Sequence, residues 1–294
     1  MIATMSQIRT STSTSPKAFW GSPVAYEKEL QFAQSLALEA GKIMRRYFRS
    51  SDLAITQKQD LTPLTVADTQ INDLVIERVK SEFPSYGVLG EEASYEPQRE
   101  LLWVVDPIDG TSPFSCGIPV STFSLALVDR HDGQPYVSVT YDPYLDELMF
   151  ATKDGGAFCG EKTLRTSQTK DLAGQYVMQG SGLWSHEPTV SIGDIVTGLN
   201  AADVRGFNFI SAVYGARQVA KGNFAAGFLL YGSPWDSAAV SLLVSEAGGV
   251  ASDIFGSPRR YDEFANGLLV SCNEIVHEKM LHIIRASALS DMHA

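Results

Sequence analysis

The sequence predicts a layered α+β fold, and three observations carry that expectation. Apolar residues recur at helical spacing in long stretches near both ends. Short strand-like runs follow one another through the middle. In the second half, helical and extended segments alternate without the regular strand–helix rhythm of a parallel sheet. The chain has 294 residues, 44% hydrophobic and 19% charged, which supplies a sizeable core and argues against disorder. That length fits two units or one large two-part unit.

The elements are read in order. Residues 1–24 form a Ser/Thr-rich tail that reads as a disordered leader. It carries Arg9 and Lys17 with no acid before Glu27, so organelle import stays open beside a cytoplasmic location. From Tyr26 to Arg49, Leu30, Ala33, Leu36, Ala37, Ala40, Ile43, Met44 and Tyr47 line one face of a long helix. A second helix starts at Thr65, with Asp68 in capping-box position, and Pro84 ends it. Tyr86–Leu89 and Leu101–Val105 read as strands. Thr122–Val128, Val137–Tyr141 and Leu148–Thr152 read as an antiparallel series, with Asp154-Gly155 as a hairpin turn. Ser211–Ala220 is helical, Phe224–Leu230 extended, Asp236–Ala247 helical and Leu268–Ser271 extended. A last helix begins at about Glu274. A soft boundary falls near Thr152–Ser167.

Charge and cysteine content narrow the function. Lys plus Arg number 23 and Asp plus Glu 34, for a net charge of −11. Such a chain repels phosphate backbones and anionic lipid, against nucleic-acid and membrane partners, unless a bound cation reverses the local field. No apolar stretch approaches a membrane span. Cys116, Cys159 and Cys272 form no CxxC pair, so they read as inert buried thiols in a reducing compartment. Arg217 and Lys221 read as solvated side chains. The five histidines contain no zinc-type pair, no Gly-x-Ser-x-Gly elbow is present, and Gly155–Gly160 reads as a hairpin rather than a dinucleotide loop.

The informative segment is Trp103-Val104-Val105-Asp106-Pro107-Ile108-Asp109-Gly110-Thr111. A buried strand runs into an aspartate, proline removes a backbone donor, and a second aspartate follows three residues on. Such a turn can set two carboxylates and the Ile108 carbonyl around one point, a hard oxygen set suited to Mg2+, Mn2+ or Ca2+. Alone, the same residues also read as a cap at Asp106 and a turn at Asp109-Gly110. Three further acid-bearing element ends add to the pattern. They are Gly90-Glu91-Glu92 after an apolar run, Asp236 as the cap of a helix, and Asp60-x-x-Pro63-x-Thr65-x-x-Asp68 at a helix start.

Together with Lys58 before Asp60, Trp235-Asp236-Ser237-Ala238-Ala239 and Glu246-Ala247-Gly248-Gly249, these signatures resemble the inositol monophosphatase family of Mg2+-dependent, lithium-sensitive phosphatases, over about residues 26–288. The resemblance implies a layered αβαβα sandwich. It divides the chain into an α+β metal-binding half (residues 25–155) and an α/β half that completes the active site (residues 156–294). It implies one metal on Glu91, Asp106 and the Ile108 carbonyl, a second on Asp106, Asp109 and Asp236, and a weaker third on Glu91. Thr111 with Glu91 would orient and deprotonate the water that attacks phosphorus. The amides of Gly110 and Thr111 would hold phosphate oxygens, and Ala212 would contact substrate. Asp68 and Glu92 would support these residues from behind. Two or three Mg2+ ions, replaceable by Mn2+, a small phosphorylated polyol as substrate and a homodimer complete what the resemblance implies.

Three departures from the family pattern bear on substrate. Ser112-Pro113-Phe114 follows Gly110-Thr111, Ile210-Ser211 replaces the usual Gly-Ser before Ala212, and Leu229 stands where the family carries an inositol-reading acid. Histidinol-phosphate phosphatase, fructose-1,6-bisphosphatase and 3′,5′-bisphosphate nucleotidase share the ligand set and are the alternative readings. A dehalogenase-type phosphatase would need its second acid two residues after the first, not three. A non-catalytic scaffold would show degraded ligands, and none of the proposed ligands is degraded.

Overall fold

The computed structural model describes residues 26–180 and 190–288; the expected leader, together with His186 and His293, lies outside the described residues. Helix α1 (Glu27–Tyr47) buries Phe32, Ala33, Leu36, Ala37, Ala40 and Met44 along one stripe. A small antiparallel hairpin follows, β1 (Ile55–Gln57) and β2 (Pro63–Thr65). Its exposed three-residue first strand carries no periodicity for a sequence to display. Thr65 caps α2 (Val66–Glu82). Its hydroxyl accepts from the Ala67 and Asp68 amides, and Asp68 accepts from the Thr65 amide, so the expected capping box is complete.

Strand β3 (Gly87–Gly90) pairs in parallel with β4 (Leu101–Asp109). After the short α3 (Thr111–Ser115), an antiparallel meander follows: β5 (Thr122–Asp129), β6 (Gln134–Asp142), β7 (Glu147–Thr152), β8 (Gly156–Cys159) and β9 (Lys162–Thr163). These seven strands form one sheet in sequence order. The remaining elements are β10 (Tyr176–Gln179), α4 (Ile192–Ala201), β11 (Arg205–Asn208), α5 (Ala212–Ala220), β12 (Ala226–Leu229), α6 (Pro234–Glu246), β13 (Val250–Ser252), β14 (Leu268–Ser271) and α7 (Glu274–Ala286). Their five strands form a second, mixed sheet in the order β11-β10-β12-β14-β13.

Three apolar clusters show how the layers stack. Trp103, Val105, Leu125 and Leu127 pack against α1 and α2. Leu102, Val104, Ala126 and Val128, on the opposite face, pack against α5 and α6. Val177, Phe228 and Leu269 of the second sheet meet α4 and α7. The stack is therefore helix–sheet–helix–sheet–helix, the layered α+β sandwich the resemblance implied. With helices on both faces, β4 is an almost continuous apolar run rather than an alternating one. Helix α6 lies between two sheets, and so buries every residue from Ser237 to Val244. No helix among the described residues is long and apolar enough to cross a membrane.

The structure corrects four expectations. Strand β4 does not stop at Val105 but runs through both aspartates. Asp236 is not a cap: Ser233 occupies that position and Pro234 opens α6, leaving Asp236 inside the first turn. Arg217 is 1% exposed rather than solvated; it donates to the Glu147 carbonyl at 2.8 Å and faces Asp142 at 3.9 Å, while Lys221 pairs with Glu147 at 3.0 Å. Of the three free thiols only Cys272 is buried, whereas Cys159 is partly exposed and Cys116 exposed.

His277 is a satisfied core histidine. Its Nε2 lies 2.9 Å from the Ser252 hydroxyl, which itself donates to the Asp253 carbonyl, so Nε2 carries the proton. Nδ1 then accepts from Ser271 at 3.1 Å. Burial lowers its pKa from 6.5 to about 4. Below 6.5 the unfolded chain takes up a proton that the folded chain refuses, so stability falls as pH drops from 6.5 towards 4 and is level above that window. Urea unfolding at pH 7 and pH 5 should show the wild type losing about 2 kcal/mol more than a His277→Gln variant. Equal losses would remove His277 from the account.

Candidate active site

The site begins with an irregularity in β4. Pairing with β5 is regular up to Asp106 opposite Ser124, and resumes at Asp109 opposite Thr122. Three residues on β4 thus span two on β5, a one-residue bulge placed at Pro107, which has no amide to donate. In a regular strand residues three apart face opposite sides; the extra residue returns Asp106 and Asp109 to the same side. Gly110 then takes a left-handed φ of 82°, next to Ser211 and Pro113, and the chain turns into α3.

Asp109, 4% exposed, seats its carboxylate on the N-terminus of α5. Oδ1 accepts from the Ala212 amide at 2.8 Å. Oδ2 accepts from the amides of Val213 at 3.1 Å and Tyr214 at 3.3 Å, from the Ser211 hydroxyl and, at 3.3 Å, from Thr122. These are the amides that a helix start leaves without partners, and its dipole favours the negative charge. Burial still raises the Asp109 pKa, with these bonds opposing it. Asp106, 2% exposed, accepts from the Ile108 amide at 3.0 Å. Burial, with Glu91, Asp109 and Asp236 nearby, holds its carboxyl well above the usual range. Asp236 arrives from the first turn of α6, and burial with the charges of Glu91 and Asp109 pushes it up to about 8.

Carboxylate oxygens of Asp106, Asp109 and Asp236 lie within 4.8 Å of one another. At such separations two unit charges repel by about 4 kcal/mol at an effective dielectric of 20. A cluster of hard oxygens with surplus negative charge, held in the interior, fits a divalent cation of the Mg2+ type. Oδ1 of Asp109 accepts a single hydrogen bond and so keeps a lone pair for such an ion.

Glu91 and Glu92 arrive from the end of β3, and Lys58 lies 2.7 Å from a carboxylate oxygen of each. The contact with Glu91 is aligned as a hydrogen bond, and Glu92 forms an ion pair with the same ammonium. Burial would lower the Lys58 pKa, but the two glutamates together raise it. Burial pushes Glu92 up to about 7, against the pull of Lys58. Thr111 has its hydroxyl 3.1 Å from Asp68 Oδ1 and 3.0 Å from the Ile108 carbonyl. Asp68 also accepts from the Thr65 amide and hydroxyl, and burial pushes it up to about 6.

A cleft of about 180 Å3 unites the sequence candidates. Glu91, Asp106, Ile108, Asp109, Gly110, Thr111, Ala212 and Asp236 all line it, whereas Asp68 and Glu92 stand behind its wall. Thr62, Pro63, Ser112, Gly180, Ile210, Leu229 and Tyr231 complete the lining. Sequence reasoning missed the bond of Ser211 to Asp109, the clamp of Lys58 on the two glutamates, and the pairing of Thr111 with Asp68. A serine before a helix start was the available signal for the first. The other two join residues 33 and 43 positions apart, and left no local trace.

The family model described as "Inositol monophosphatase family" matches residues 25–289. The chain is 32% identical to a histidinol-phosphatase of Chlorobaculum parvum, across 87% of this chain and 96% of the relative. It is also 32% identical to an inositol-1-monophosphatase of Mesorhizobium japonicum, across 85% of this chain and 93% of the relative. A solved structure of the extragenic suppressor protein suhB from Bartonella henselae is similar, with a TM-score of 0.80 at 25% identity, covering 88% of this chain and 99% of that one. The chain belongs to the inositol monophosphatase family, and it is a phosphatase acting on phosphomonoesters.

Proposed function

We propose that this phosphatase hydrolyses a small phosphorylated alcohol by attack of water, with Mg2+ held at the buried carboxylates; the resemblance favours a polyol phosphate of the inositol monophosphate type. The observation that carries the reading is the convergence of Asp106, Asp109 and Asp236 in one cleft with Glu91 and Thr111. Asp106, Asp109, Asp236, Glu91 and the Ile108 carbonyl would hold two or three Mg2+ ions, with Mn2+ able to substitute. Bound there, the cations would neutralise the phosphate, acidify the attacking water and stabilise the leaving oxygen.

The chain's own residues supply positioning and proton transfer. Thr111 orients the attacking water through its hydroxyl. As that water gives a proton to Thr111 Oγ, the Thr111 proton passes to Asp68 Oδ1, 3.1 Å away. Asp68, raised by burial to about 6, is ionised at neutral pH and more basic than an ordinary aspartate, which suits a general base. Glu91 faces the same water, held in place by Lys58. Glu92 supports Lys58 from behind. The amides of Gly110 and Thr111 hold phosphate oxygens, and Ala212 contacts the substrate.

Histidinol phosphate is the second reading, supported by the similar histidinol-phosphatase. Bisphosphates are disfavoured. Among the described residues lining the cleft none is Lys or Arg, so a second phosphate finds no cationic partner. The net charge of −11 supports a small substrate over nucleic acid. The free thiols support a cytoplasmic location, and the resemblance supports a homodimer.

Metal dependence and three variants test this reading. Phosphate release from inositol 1-phosphate or histidinol phosphate should require Mg2+ or Mn2+, stop with EDTA and weaken under millimolar lithium. Added Mg2+ should raise the Tm of EDTA-treated protein, since a hundredfold excess over Kd contributes about 2.7 kcal/mol. Asp106→Asn should abolish turnover and shrink that Tm response while circular dichroism stays native; full activity in this variant refutes the ligand assignment. Thr111→Ala and Asp68→Asn should each lower kcat by roughly 10²- to 10³-fold and leave the Mg2+-induced Tm shift intact. If Asp68→Asn turns over normally, Asp68 is not the base.

A further inference from the structure

Building on the phosphatase reading, but departing from the polyol that the resemblance favours, we propose that the leaving-group side of the cleft selects an uncharged alcohol with an aromatic or branched aliphatic body, and that Ile210 sets this preference. Ile210 has a φ of 52°, in the left-handed region that β-branched residues avoid. It is 46% exposed and lines the cleft. An isoleucine both strained and exposed gains nothing from the core for its conformation. Its side chain gains only when something in the cleft covers it.

The strained turn is fastened at both ends. The Asn208 side chain accepts from the Ile210 amide at 2.9 Å, and the Ser211 hydroxyl is bonded to Asp109. The position of Ile210 is thus tied to the same carboxylate that belongs to the acid cluster. Leu229 and the 36%-exposed ring of Tyr231 line the same cleft. Gly180 makes room for Leu229: a Cβ at position 180 would stand 2.3 Å from Leu229 Cδ2.

Charge and hydrogen-bonding capacity agree with this wall. Among the described residues, every acid lining the cleft belongs to the Asp106–Asp109–Asp236 group or is Glu91. Of the hydroxyls on the described lining, that of Thr62 is committed to Asp60 at 2.6 Å, that of Thr111 faces Asp68 and the Ile108 carbonyl, Ser112 follows Thr111 in the phosphate loop, and the Tyr231 ring carries one more at the wall itself. A polyol would bring several hydroxyls against Ile210, Leu229 and Ala212, and each hydroxyl stripped of water without a new partner weakens binding. A ring or branched chain would instead cover Ile210 and Tyr231. The difference of one apolar contact in such a pocket is worth roughly 10- to 200-fold in discrimination.

The test compares 2-phenylethyl phosphate with inositol 1-phosphate in the presence of Mg2+. The wild type should show a kcat/KM at least tenfold higher for the phenylethyl ester. Ile210→Gly should cut that preference about tenfold, mainly through KM for the phenylethyl ester. Its Tm should stay within about 2 °C of the wild type, because glycine accepts the left-handed turn. Tyr231→Ala should move the preference in the same direction. A preference for inositol 1-phosphate, or an unchanged ratio in both variants, overturns the proposal and leaves the phosphatase reading standing. Hydrolysis of neither ester overturns the proposal, and if histidinol phosphate is not hydrolysed either, the phosphatase reading falls with it.

Discussion

Three carboxylates crowded into the protein interior are the constraint around which this molecule is arranged. Asp106 and Asp109 are almost closed to water and Asp236 partly so, and their oxygens lie within 4.8 Å of one another. Apolar packing on both faces of β4 and all round α6 keeps them there, because neither element can move without opening a core. The repulsion is therefore met by protons or cations at the site rather than by the acids moving apart. An acidic protein that binds an acidic substrate becomes intelligible on these terms, since the counter-charge is drawn to the one place where phosphate must sit.

Much of this was legible in the chain because the signals were local. The capping box of Thr65 and Asp68, the stripe on α1 and the meander from β5 to β7 each arise from neighbours in sequence, and each appears where periodicity or turn chemistry placed it. What remained hidden depends on partners from elsewhere. The bulge at Pro107 exists only relative to β5. Arg217 looks like a surface residue until Asp142 and Glu147 approach it from β6 and β7. Asp236 reads as a cap because an aspartate before an apolar run usually is one. Ser233 and Pro234 start α6 three residues earlier and convert it into an inward-facing acid.

The hidden features are also those that assign chemistry. Asp68 reads first as a capping residue, and it does cap α2, through Oδ2. Its other oxygen, Oδ1, accepts from Thr111. A single buried carboxylate thus ties the start of α2 to the turn after β4. The same economy appears at Ser211, which precedes α5 in the chain and bonds Asp109 across the cleft.

The three acids of the cluster are not equivalent, and that asymmetry decides what binds. Asp109 rests on three amides and two hydroxyls at the start of α5, so protein dipoles offset much of its burial. Asp106 has the Ile108 amide, and burial, with the charges of Glu91 and Asp109, raises Asp236 to about 8. Asp109 therefore serves as the fixed post that joins the acid cluster to α5. The turn before α5, anchored on Asp109, keeps Ile210 and Ser211 in register with the acid cluster, so the wall proposed for the leaving group and the acids proposed for the cation are tied to one shared carboxylate.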